Sequence, residues 1–114
     1  MSLTVYHLKT CDTCRKAIKA LQSAGHDLNL VDVRADGMPV NVLKDLVESH
    51  DWETVLNRRS TTWRGLSDTE KEGVTPKKAV ALMSEHPTLI KRPVIISKDQ
   101  ITIGWTKDSQ ATWL

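Results

Sequence analysis

The N-terminal part of the chain constrains the fold most, because it reads as strand, helix and strand with a cysteine pair at the first junction. Residues 3–8 (LTVYHL) are short, alternating and β-prone, which predicts a strand. Across residues 13–24 the apolar positions Cys14, Ala17, Ile18, Leu21 and Ala24 follow helical spacing. Gly25 comes next, where a helix end favours a residue that tolerates positive φ. Residues 28–33 (LNLVDV) predict a second strand. Two strands joined through one helix imply a parallel pair with a right-handed crossover.

The middle of the chain is helical. Arg34-Ala35-Asp36-Gly37-Met38-Pro39 predicts a loop, and Val40, Leu43, Leu46 and Val47 then form one helical stripe. A shorter helix is expected over residues 52–56. Ser67-x-x-Glu70 has the spacing of a capping box. Thr75-Pro76 predicts an N-cap followed by proline at the first helical position, with Ala79, Val80, Leu82 and Met83 as the buried face. His86-Pro87 ends that helix. Beyond Arg92-Pro93 the pattern turns to β: residues 94–97 and 101–105, joined by Lys98-Asp99-Gln100, predict an antiparallel hairpin. Residues 106–114 read as a short amphipathic helix.

At 114 residues, the chain fits one compact domain. Its 39% hydrophobic content is enough for a core, and a net charge of +2 gives no basis for nucleic-acid binding. No apolar run approaches the roughly 18 residues of a membrane span. The N-terminal Met1-Ser2-Leu3-Thr4-Val5 has neither a basic region nor a hydrophobic signal segment. The expected location is therefore the cytoplasm, where thiols stay reduced. Two cysteines cannot form a disulfide scaffold, and in a reducing compartment Cys11-Asp12-Thr13-Cys14 points to metal or catalytic chemistry. Zinc would need two further ligands, and His7, His26, His50 and His86 are dispersed without paired ligand spacing, so no metal is expected.

At the start of a helix the pair has a chemical use. Unpaired backbone N–H groups and the positive end of the helix dipole stabilise an anion there. The thiolate is the nucleophile in disulfide exchange, so a lowered thiol pKa raises its reactive fraction. Cys11 is thus the predicted exposed nucleophile. Cys14 falls on the apolar face with Ile18 and Leu21, less exposed and placed to close a disulfide with Cys11. Thr10 and Thr13 are expected to donate hydroxyl hydrogen bonds to the Cys11 sulfur, with Arg15 and Lys16 adding positive charge and Asp12 opposing them. Two further features carry candidates. Lys91-Arg92-Pro93-Val94 puts a proline at a strand start, where the peptide can be cis, beside an arginine able to hold an anion. Asn57-Arg58-Arg59-Ser60-Thr61-Thr62-Trp63-Arg64 sets three arginines around a tryptophan, either as a polar loop anchored by Trp63 or as an anion or thiol-substrate contact, with Arg59 preferred over Arg58.

Together, CDTCRKA at residues 11–17, LNRRSTTWRGL at 56–66 and HPTLIKRPV at 86–94 resemble the arsenate-reductase-like (ArsC/Spx/YffB) family, closest to the YffB-type branch. The resemblance covers essentially the whole chain. It implies an α/β, thioredoxin-like (glutaredoxin-type) sheet with a helical insertion between the second and third strands. The chain would then be a single ArsC-like domain, its thioredoxin-like part at about 1–36 and 88–114 and its insertion at about 38–87. It also implies a cis peptide before Pro93. Arsenate reductases of this type use one nucleophilic cysteine, glutathione with glutaredoxin, and three arginines. Cys11 matches the nucleophile, Arg92 the arginine before the proline, and Arg59 or Arg58 another. Where the third belongs, the chain has Gly104-Trp105. The resemblance therefore favours a glutathione-dependent thiol–disulfide reductase using Cys11 and Cys14, with Thr10, Thr13, Arg59, Arg92 and Pro93 around the substrate. The alternatives are an arsenate reductase and an Spx-like redox-sensing regulator that binds RNA polymerase. The expected protein is a monomer with no bound cofactor, no nucleic acid and no membrane. It would use glutathione as co-substrate and meet protein thiols or glutaredoxin.

Overall fold

The fold is that of a computed structural model, in which residues 2–98 and 100–114 are described. In chain order the elements are β1 (Ser2–His7), α1 (Asp12–Ser23), β2 (Asp27–Asp32), α2 (Val33–Asp36), α3 (Val40–Ser49), α4 (Trp52–Val55), α5 (Thr61–Arg64), α6 (Asp68–Lys71) and α7 (Pro76–Glu85). A 3-10 turn (Pro87–Leu89), β3 (Val94–Ile96), β4 (Ile101–Ile103) and α8 (Lys107–Trp113) complete the chain. They form two compact units, one of Met1–Asp36 with Arg92–Leu114 and one of Gly37–Lys91.

The first unit holds a four-stranded sheet in the order β2-β1-β3-β4. β1 and β2 run parallel, from Ser2 opposite Asp27 to His7 opposite Asp32, while β3 pairs antiparallel with both β1 and β4. This is the strand–helix–strand crossover and hairpin read from the sequence; of the linker Lys98-Asp99-Gln100, Asp99 lies outside the described residues. Leu3, Val5 and Ile95 line the sheet face that packs against Leu21 and Trp113, with Ile18, Leu28 and Trp105 at its margin. α1 ends as its sequence requires. Gly25 takes φ +91°, its N–H donates to the Gln22 carbonyl at 3.0 Å, and the His26 N–H donates to Leu21 at 3.1 Å. That paired arrangement satisfies carbonyls left open by the last helical turn.

Both β1 and β2 stop one residue earlier than their patterns imply. Val33 leaves the sheet to begin α2, a single turn where a loop was expected, because the Asp32 carboxylate accepts hydrogen bonds from the N–H groups of Arg34 and Ala35. In the second unit, Ser67 and Glu70 form the expected reciprocal capping box. Thr75 caps α7, which buries Ala79, Val80, Leu82 and Met83. Val40 departs from the expected stripe: it sits in the first turn of α3 and is 45% exposed, so Leu43 and Leu46 form the buried face. This unit extends to Lys91 because the Asn57 N–H donates to Leu89, the Lys91 N–H donates to Val55, and Leu56 bridges Ile90.

Candidate active site

Cys11 is the N-cap residue of α1, in an extended conformation with φ −90° and ψ 114°. Its N–H donates to the Leu8 carbonyl at 3.0 Å, closing a turn through Lys9 and Thr10 that carries the chain from β1 into the helix. The Cys11 side chain is half-buried and Cys14, one turn into α1, is fully buried; both are free thiols. The i, i+3 spacing on one helix places the sulfurs together.

Their environments push the two thiols apart. At Cys11 partial burial raises the pKa, but this is outweighed by the Cys14 N–H, the Cys14 thiol, and the charge and hydrogen bond of Arg92, so the thiol lies below its ordinary value. At Cys14 burial dominates and the neighbouring Cys11 adds to it; the Leu8 N–H and Arg92 oppose, and the thiol is pushed up to about 12. The two thiols are thus displaced in opposite directions, and the Cys14 thiol donates a hydrogen bond to the Cys11 sulfur. This is the division between an attacking and a resolving thiol.

The expected sources of that stabilisation need correction in two respects. Thr10 and Thr13 are exposed, and the sulfur takes its hydrogen bonds from Cys14 and Arg92 instead of from their hydroxyls. Arg15 is engaged with Asp12 at 3.2 Å on the exposed side of the first turn, and the cation acting on Cys11 is Arg92, not Arg15 or Lys16. Arg92 precedes the buried Pro93 through a cis peptide, as the family resemblance implies. The Pro93 carbonyl accepts from the Gly104 N–H at 2.9 Å. Gly104 stands at φ +83°, a conformation open to glycine and strained for a residue with a side chain.

In the second unit, the arginine-rich segment forms a short capped helix instead of an open loop. Ser60 Oγ accepts from the Trp63 N–H at 3.1 Å. Arg58 pairs with Glu53 at 3.2 Å and lies over the Trp52 ring, 5.6 Å from its centroid. Arg64 donates to the Arg59 carbonyl. The exposed Arg59 guanidinium makes no hydrogen bond or ion pair among the described residues, which leaves it the available cation of the three.

One site residue was not anticipated from the sequence. Asp32, 9% exposed, accepts from the Lys9 N–H through Oδ2 at 3.3 Å, within the turn that leads to Cys11. The readable signal was an acidic residue just before Val33-Arg34-Ala35, an N-cap preference. Among the described residues no cluster of His, Cys, Asp or Glu can hold a metal, and no helix is long and apolar enough to cross a membrane.

Comparison with known proteins settles the family. The sequence profile of the ArsC family matches residues 6–112. The chain belongs to the ArsC family. It is 38% identical over 112 residues to an uncharacterised protein of Haemophilus influenzae, covering 97% of this chain and 98% of the relative. The solved structure of a YffB protein superposes with a TM-score of 0.92 at 34% identity, covering 98% of each chain. An arsenate reductase (ArsC) related protein from Brucella melitensis is 31% identical with a TM-score of 0.75, covering 99% of this chain and 94% of that one. The global transcriptional regulator Spx of Bacillus subtilis is more distant, 24% identical over 110 residues that cover 93% of this chain and 82% of Spx. The fold is accordingly the thioredoxin-like ArsC type.

Proposed function

We propose that this ArsC-family protein is a thiol–disulfide reductase that uses glutathione as co-substrate in a reducing cytoplasm. The observation that carries the reading is the opposite displacement of the two thiols, Cys11 below its ordinary value and Cys14 near 12. In the first step the Cys11 thiolate attacks the glutathione sulfur of a protein–glutathione mixed disulfide. The protein sulfur leaves as a thiolate and takes a proton from solvent, and Cys11 becomes bonded to glutathione. With the Cys11 charge consumed, one cause of the raised Cys14 pKa disappears. Cys14 then loses its proton to solvent and attacks Cys11, expelling glutathione as thiolate and leaving a Cys11–Cys14 disulfide. Two glutathione molecules, or a glutaredoxin, return the two electrons and two protons. Arg92 accompanies the sulfur charge throughout.

Arsenate reduction is the weaker reading, because the chain has Gly104-Trp105, and no arginine, where the third arginine is expected. The likeness to Spx, together with the cysteine pair, supports a regulator whose disulfide is the signal; such a protein would form the disulfide without sustained turnover. The test is a purified-protein screen with glutathione and either a glutathionylated peptide or arsenate, comparing native protein, Cys11→Ser and Cys14→Ser. Turnover of the peptide that disappears in Cys11→Ser supports the reductase. Efficient arsenate turnover that is lost in Cys11→Ser and kept in Cys14→Ser overturns it.

A further inference from the structure

The turn that delivers Cys11 is held bond by bond. The Leu8 N–H serves the Cys14 sulfur, the Leu8 carbonyl accepts from the Cys11 N–H, and the Lys9 N–H donates to Asp32. Asp32 ends β2 directly opposite His7, which ends β1, and both side chains are buried. The two carboxylate oxygens serve different segments. Oδ1 accepts from Arg34 at 2.8 Å and Ala35 at 3.1 Å, at the start of α2, while Oδ2 reaches Lys9 at 3.3 Å, 23 positions away in sequence.

We propose that Asp32 is a positioning residue for Cys11: it ties the turn before the cysteine to the start of α2 and so holds the sulfur in reach of the Cys14 N–H and Arg92. The inference rests on the proposed function only for the identity of the reactive thiol. Burying a carboxylate is costly unless hydrogen bonds and opposite charge replace its water. Capping a single turn does not require a carboxylate, since a serine hydroxyl satisfies the same N–H groups. What a hydroxyl lacks is a second acceptor that reaches the Lys9 N–H. The Ala35 N–H, against burial and with Arg34, Lys9 and His7 adding, holds the Asp32 carboxyl below its ordinary value, so it is ionised whenever the thiol chemistry runs.

The sign of the response separates this role from a charge effect. A buried anion acting through space disfavours a nearby thiolate, so its removal would lower the Cys11 midpoint. Loss of the tie lets the turn move away from its donors and raises the midpoint. The experiment measures the iodoacetamide rate at Cys11 against pH in the full chain, with the modified residue identified by peptide mass spectrometry. Native protein is compared with Asp32→Ser, which keeps a cap for α2, and with Asp32→Asn. Leu28→Ala, at the opposite end of β2, is the control for general loosening. We expect both Asp32 variants to raise the midpoint and to slow alkylation below it about three- to tenfold, the population effect of one net hydrogen bond. Leu28→Ala is expected to leave the midpoint in place. A midpoint unchanged in Asp32→Ser would reduce Asp32 to a cap, and a lowered one would make it a through-space charge; either overturns the proposal. If Asp32→Ser does not fold, Asp32→Asn decides by the same criteria. A native Cys11 midpoint at the free-thiol value would overturn this inference and the reductase reading together, whereas the other two results leave that reading intact.

Discussion

Alkaline pH should weaken the native state through Cys14, and the size of the effect follows from its environment. The Cys14 thiol is fully buried and pushed up to about 12, first by burial and then by Cys11. In the unfolded chain the same group titrates near its ordinary value of 9.0. Between those values the folded state keeps a proton that the unfolded state has released. The stabilisation is therefore fully present below the unfolded value and is lost as the pH rises towards the folded one. Its limiting slope is about 1.4 kcal/mol per pH unit. From about pH 9.5 to about pH 11 the native protein should lose up to about 2 kcal/mol relative to a chain without this thiol. Cys14→Ala supplies that chain. Tyr6, also raised by burial, is present in both proteins and cancels in the difference. In the variant, Cys11 keeps two of the groups that lower it in the native protein, the Cys14 N–H and Arg92. Urea unfolding followed by fluorescence of the four tryptophans, with a phosphine reductant present, gives the two stability–pH curves. Convergence of the curves as pH rises is the expected result. Parallel curves would refute the claim that the fold holds Cys14 protonated.

Other perturbations test other parts of the account. Arg92→Met should raise the Cys11 alkylation midpoint and slow alkylation near neutral pH by roughly tenfold, a charge-assisted contact discounted for the partial exposure of the sulfur; an unchanged pH–rate profile would remove Arg92 from the site. Leu21→Ala, at a fully buried position among Leu3, Val5, Ile95 and Trp113, should cost about 2–5 kcal/mol in urea unfolding, and a loss under about 1 kcal/mol would contradict its place in the core. Gly25→Ala has open space for the added methyl but must adopt φ +91°, so it should cost about 1 kcal/mol, and a neutral result would contradict the helix ending described.

Where a local pattern carries its own physical cause, the sequence was legible. α1 is written in the spacing of Cys14, Ala17, Ile18 and Leu21 and in the stop at Gly25; α7 is written in Thr75-Pro76 and its apolar face. The hairpin of β3 and β4 follows from two short β-prone runs after Pro93. The nucleophile was legible too, because a cysteine immediately before a helix meets unpaired N–H groups whatever the rest of the fold does. What escaped depends on partners distant in sequence. Arg92, 81 positions after Cys11, was a legible candidate because it precedes Pro93, but the residues beside the cysteine pointed to Thr10, Thr13, Arg15 and Lys16 as the sulfur's partners instead. Asp32 looked like one more strand residue until its pairing opposite His7 brought it to Lys9. The one-turn helices α2 and α5 were read as loops because four residues are too few to show a helical period, and each depends on a side-chain cap from Asp32 or Ser60.

The central claim, that Cys11 is the thiol that takes up the substrate sulfur and Cys14 the one that releases it, is tested most directly by trapping the intermediate. Cys14→Ser is incubated with a glutathionylated peptide, and intact-mass and peptide mass spectrometry locate the glutathione. The account predicts a glutathione disulfide on Cys11 with release of the free peptide thiol, and in native protein its conversion to a Cys11–Cys14 disulfide. Failure of Cys14→Ser to acquire glutathione on Cys11, or peptide release that is equally fast in Cys11→Ser, would contradict it.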